Sequence, residues 1–161
     1  MVVNASEVRL LDLAHAVGRE AVYLQETDAR LFAQAFDMER VVALPQNPLE
    51  GERVDAFAMR FSRLQDTLGD KLLPALLSFV AEPVGAAVDN LDRAERLGWL
   101  ESADVWMAVR KLRNYLTHEY EKRPDLLLEA LLRTHAAVPA LCRTAQVLAT
   151  EVRRRVSPPA R

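Results

Sequence analysis

Three features of this 161-residue chain predict an all-α protein, an antiparallel bundle of four to five helices. Apolar residues recur at three- and four-residue spacing over long stretches, and strand-like alternation is hard to find. Ala, Leu, Arg and Glu dominate, and all four favour helix. Glycine occurs only 5 times, and the clear breaks fall at a few proline-containing loops. The length suits one domain spanning residues 1–161, with 156–161 reading as a frayed tail.

Asn4 or Ser6 can cap a first helix running to about Phe36, with Leu10, Leu13, Ala14, Val17, Ala21, Leu24 and Leu31 as its apolar face. Pro45-Gln46-Asn47-Pro48 is the clearest loop of the first half, because prolines remove donors and bias their predecessors away from helix. The second helix is expected from about Leu49 to Val80, where Val54, Phe57, Phe61, Leu64, Leu68 and Leu72 keep a helical step. Pro74 should kink or interrupt it. After the break at Glu82-Pro83-Val84-Gly85, a short helix of about Ala86–Leu97 stops at Gly98. Ser102 can cap the next helix, which runs to about Tyr120 and ends at Lys122-Arg123-Pro124. Asp125 can cap the last helix, to about Arg155, with a bend at Pro139. No internal repeat or low-complexity block interrupts this order.

Composition narrows the function classes. A net charge of -2 excludes a globally polycationic nucleic-acid binder, so any RNA contact must come from a local patch. Cys142 is the only cysteine, which excludes an intramolecular disulfide and fits a cytoplasmic, reducing setting. The first residues lack a signal-peptide pattern, and no apolar run reaches membrane-spanning length, so no membrane association is expected. His15 and His135 have no cysteine or clustered-carboxylate companions; neither a metal nor a cofactor is expected. Cys142 and Trp106 read as core residues, and Lys122-Arg123 and Arg153-Arg154-Arg155 as solvated charges at helix C-termini.

The stretch with most chemistry is Arg113-Asn114-Tyr115-Leu116-Thr117-His118-Glu119-Tyr120, an R-N-x-x-x-H-x-Y block. Arginine holds phosphate through a permanently charged fork, and histidine exchanges a proton near neutral pH. An arginine a turn or so upstream of a histidine arises by accident about one time in three in so arginine-rich a chain, so the spacing alone says little. Arg9 and His15 supply such a looser copy. The later copy has more content: Asn114, Thr117, Tyr120, and Trp106 two turns before Arg113. At roughly 100° per residue, Asn114 and His118 share one line, Arg113 and Tyr120 another, with Thr117 between them and Arg110 on the same flank. Val105, Val109, Leu112 and Leu116 form the apolar stripe beside that flank. A polar flank bordering the core suits a cleft or a subunit interface. RNA carries its own nucleophile, the 2′-hydroxyl, so cleavage needs only a base, an acid and a cation for the phosphorane.

Arg113-Asn114 and His118-x-Tyr120 on the penultimate long helix of a small all-helical chain resemble the HEPN superfamily. The similar branch is that of HepT toxins and the related nucleotidyltransferase substrate-binding proteins. Trp106 upstream of the block, Thr117-His118-Glu119-Tyr120, and Arg60-Phe61 in the second helix extend the resemblance. The layout matches over about residues 5–155, and the specific part is residues 113–120. The resemblance implies a bundle that homodimerises, bringing two motifs together as a metal-independent endoribonuclease. It implies that His118 is general acid or base, that Arg113 holds the scissile phosphate and that Asn114 orients, with Thr117 and Arg110 in support. It further implies a partner, a minimal nucleotidyltransferase antitoxin, that adenylylates Tyr120. Asp66 is the candidate for an acidic residue on the second helix. The first two helices and the Pro45–Pro48 loop are longer than in a minimal toxin. The alternative is a non-catalytic binding partner of a nucleotidyltransferase, and a third reading is a helical interaction module.

Overall fold

The computed structural model describes residues 4–118 and 122–156, leaving aside the side chains of Thr117 and His118. These residues are all-helical: α1 (Ala5–Leu31), α2 (Met38–Ala43), α3 (Pro48–Asp66), α4 (Leu73–Phe79), α5 (Ala87–Arg96), α6 (Ala103–His118) and α7 (Pro124–Arg155). A 3-10 turn, Leu44–Gln46, precedes α3, and a π-helical segment, Thr67–Leu72, joins α3 to α4. α1, α3, α6 and α7 form a closed ring of packed neighbours, a four-helix bundle, with α2, α4 and α5 set around it. Phe57, Leu24, Leu64, Leu68, Leu76 and Leu127 are completely buried at its centre. No helix of the described residues is long and apolar enough to cross a membrane.

α1 starts with a capping box. The Asn4 side chain accepts the Ser6 N–H at 3.2 Å, and Glu7 reaches back to the Asn4 N–H at 2.9 Å. It ends at Leu31, earlier than the expected Phe36. The reason lies in α2. Arg40 donates to the carbonyls of Leu31, Gln34 and Ala35 at 3.1, 2.8 and 3.3 Å, satisfying acceptors a helix end leaves open. Its guanidinium also sits 3.9 Å from the Phe36 ring centroid, and the turn lets Phe36 bury itself.

Two other boundaries differ from expectation. Asp125 does not cap α7: Arg123 holds that position, Pro124 is the first helical residue, and Asp125 lies inside the first turn, paired with Arg123 at 3.0 Å. That neighbouring guanidinium holds the Asp125 carboxyl below its ordinary range. Val156 is buried at 1% exposure, with its N–H on the Val152 carbonyl, so the tail does not begin there; residues 157–161 lie outside the described residues.

Pro74 does more than kink its helix. A proline lacks the N–H for its i−4 carbonyl, and its ring collides with that carbonyl. The chain answers with i→i+5 bonding, as in the Leu73 N–H to the Leu68 carbonyl, and Pro74 then opens the first turn of α4. Further on, Gly98 adopts a left-handed φ of 76°, which ends α5 as expected. Ser102 caps α6 by accepting the Val105 N–H at 3.1 Å.

Candidate functional site

The π segment lies directly under the motif helix. Gly69 sits in it, and a Cβ there would be 3.3 Å from Cζ2 of Trp106, so a residue without a side chain lets the indole close onto α3. Gln65, one turn earlier, donates from Nε2 to the Trp106 carbonyl at 3.1 Å in a buried bond. Trp106 is 6% exposed and acts as packing. Val105, expected in the apolar stripe, points outward at 54% exposure; the buried line runs through Ala103, Trp106, Val109, Leu112 and Leu116 instead. Trp106 takes the core position because the Gly69 notch accepts a large ring.

Two turns beyond this lock, Arg113 meets Asp66, the last residue of α3. Nη1 donates to Oδ1 at 2.9 Å and Nη2 to Oδ2 at 2.7 Å, a two-pronged pair. Arg110, one turn back, reaches Asp70 at 3.3 Å and Asp66 at 3.7 Å. Hydrogen bonding to Asp66 pushes the Arg113 guanidinium above its ordinary range, against the opposing effect of burial, so its charge is fixed. The two side chains are about a third exposed (30% and 37%). At that exposure the pair contributes about 1 kcal/mol or less, and it ties the Arg113 guanidinium to the end of α3.

Above α3, a groove of about 670 Å³ is walled by Arg63, Asp66, Lys71, Arg113 and Asn114, with Met59 on its rim. Three cations and one anion line it, a local positive bias on a chain of net charge -2. A second groove of about 550 Å³ continues past Lys71 toward Arg9. Beneath the first groove, Glu20 of α1 accepts the Thr67 hydroxyl at 3.1 Å. Its other oxygen is buried without a partner. Burial raises the Glu20 carboxyl above its usual range, against the Thr67 bond and the charges of Arg63 and Lys71. A separate apolar cavity of about 80 Å³, walled by Phe61, Val105, Trp106, Val109 and Leu141, has no phosphate-binding character.

The structure therefore brings Arg113, Asn114, Arg110 and Asp66 together on one open face. His118 and Thr117 occupy the last turn of α6, and their side chains lie outside the described residues, as does Tyr120 entirely. Arg63 and Lys71 are the groove residues that sequence reading missed. Their signal is weak: they share a helical face with Asp66 only once that face is known to meet α6.

Elsewhere, His135 Nδ1 lies 2.6 Å from Asp28 Oδ1, and its ring stacks on Phe32 with centroids 3.9 Å apart, tying α7 to α1. Burial pushes the Cys142 thiol up to about 11, which suits a core residue and opposes a nucleophilic role. Among the described residues, no group of three or more His, Cys, Asp or Glu side chains could hold a metal ion. No family model, curated protein or solved structure matches this chain.

Proposed function

We propose that this protein is a HEPN-type endoribonuclease toxin, neutralised by a nucleotidyltransferase partner. The observation that carries the reading is the Arg113–Asp66 pair at the mouth of the groove, beside Asn114 and one turn from His118. A carboxylate that anchors Arg113 in the wall of an open groove shared with Arg63 and Lys71 supports phosphate recognition. In the proposed reaction His118 removes the proton of an RNA 2′-hydroxyl, whose oxygen attacks the adjacent phosphorus. The 5′ oxygen leaves with a proton, giving a 2′,3′-cyclic phosphate and a free 5′-hydroxyl. Arg113 offsets the charge that builds on the phosphorane, and Asn114 orients the phosphate.

A second copy of the chain would supply the other proton-transfer group. The exposed rim residue Met59, at 56% exposure, and Tyr115, at 38%, leave apolar surface near the groove for a homodimer. Tyr120, seven residues after Arg113 in the sequence, is the proposed acceptor of AMP. Its added phosphate would compete with substrate for the Arg113 fork.

Purified protein incubated with total RNA in EDTA tests the reading. Cleavage that disappears in His118→Ala and in Arg113→Ala supports it; no cleavage, or equal cleavage by His118→Ala, removes it. A second reading is favoured by the engagement of Arg113 with Asp66 and of Arg110 with both aspartates. A groove whose arginines are already held by carboxylates also suits recognition without chemistry. Stable co-purification with a nucleotidyltransferase, without RNA cleavage, would select it.

A further inference from the structure

We propose that Tyr23, flanked by Arg19 and Arg60, is a nucleobase-stacking subsite for single-stranded RNA whose backbone lies in the Arg113 groove. This rests on the reading of RNA as substrate and adds a determinant on α1, outside the motif helix.

Tyr23 is 43% exposed, so its ring contributes little to the core. Two planar cations accompany it. Arg60 of α3 donates to the Tyr23 carbonyl at 3.2 Å and to the Thr27 hydroxyl, which sets its guanidinium 5.7 Å from the ring centroid. Arg19, one turn before Tyr23, lies 6.0 Å from the centroid and donates to the Tyr23 hydroxyl at 3.4 Å. Among the described residues, Arg19, Arg60, Arg63 and Lys71 have no carboxylate within ion-pair distance. Arg30, Arg40, Arg53, Arg93, Arg133 and Arg143 each do. Arg19, Arg60, Arg63 and Lys71 follow the α1–α3 seam, with an exposed aromatic ring at its edge.

The helix register connects this cluster to the groove. Thr27 faces Arg60 and Glu20 faces Thr67, so α1 and α3 run antiparallel. Tyr23 then falls opposite the Arg63 level, where Arg63 lines the groove. Phosphates bound by Arg63, Lys71 and Arg113 need no aromatic neighbour. An unpaired base does: stacking on a tyrosine or a guanidinium plane is how single strands are held, and every base has a face to offer. A duplex keeps its base faces inside its own stack, so the pairing of ring and cations favours single-stranded RNA.

The test is equilibrium binding of two labelled polymers to the full chain. One is a 2′-O-methyl RNA dodecamer of mixed sequence, whose nucleophile is blocked; the other is the matching abasic sugar–phosphate polymer. Tyr23→Ala should weaken the base-bearing polymer roughly ten-fold, the size of one modest base–aromatic stack. It should leave the abasic polymer unchanged, and Tyr23→Phe should bind both as the wild type does. Arg63→Ala should weaken both polymers. If Tyr23→Ala leaves base-bearing RNA unaffected, or weakens the two polymers equally, the subsite is wrong while the RNA reading stands. If the wild type binds neither polymer, both fall.

Discussion

Two long helical rods in this protein each contain an internal proline, and they accommodate it differently. In α7 the helix passes through Pro139 and stays α-helical from Pro124 to Arg155. In the rod built from α3 and α4, Pro74 is preceded by six π-helical residues. The first solution leaves the helical register untouched. The second shifts it where Asp66, Gly69, Asp70 and Lys71 confront α6 and the groove. Single π turns inside helices occur often at functional sites, since they re-aim side chains on a rigid element. A proline therefore does not by itself dictate whether the preceding helix widens.

The largest effect is expected where the widened turn meets α6. Trp106→Ala removes a ring that is 6% exposed and fills the Gly69 notch, and it should cost about 3–5 kcal/mol. Guanidinium unfolding measures it; a loss under 1 kcal/mol would mean that the indole is not what holds α6 on the π segment. Gly69→Leu attacks the same contact from the other side. A side chain 3.3 Å from a buried indole has no room, so about 1–3 kcal/mol of overpacking should appear in the same unfolding measurement.

The two prolines can be compared directly by substituting each with alanine. Pro139→Ala restores a donor and a good helix former within an unbroken α-helix and should stabilise by roughly 1 kcal/mol or more, within the full cost of an interior proline. Pro74→Ala should gain less, because the i→i+5 bonds already absorb the missing donor. Equal gains in paired unfolding curves would show that Pro74 has nothing to do with the π segment.

The smallest effect concerns Glu20, which holds Thr67, the first residue of that segment. Burial raises its carboxyl above the ordinary value of 4.5, so the folded chain holds this proton more tightly than the unfolded one. Its contribution to stability is fully present below about pH 4.5 and is lost as pH rises through the higher folded value. Glu20→Gln, neutral throughout, should match the wild type at pH 4 and exceed it slightly at pH 7. A wild type more stable than Glu20→Gln at pH 7, with the difference closing on acidification, would show that the ionised carboxylate is stabilising, through Arg63 and Lys71.

The α1, α3, α6 and α7 rods were legible because each buries one stripe at helical spacing, a local property of the chain. So were Ser102 as a cap and Gly98 as a stop, where a hydroxyl and a left-handed φ satisfy their own neighbours. The end of α1 was not legible, since the guanidinium that satisfies its carbonyls comes from Arg40, beyond the turn. In the candidate site, Arg113 and Asn114 stood out in the motif and Asp66 was the candidate acid of the second helix, but nothing local paired it with Arg113.

By itself, then, the sequence determined the helix class, most boundaries and which helix carries the R-N-x-x-x-H-x-Y block, because these depend on residues within a few positions of one another. Only the tertiary structure decided that Asp66 pairs with Arg113, that Gly69 admits Trp106, and that Arg63 and Lys71 share a groove with Asn114. Those partners lie roughly forty or more residues apart along the chain. Their meeting depends on which faces of α3 and α6 pack together and on the register after the π turn, which no local pattern encodes.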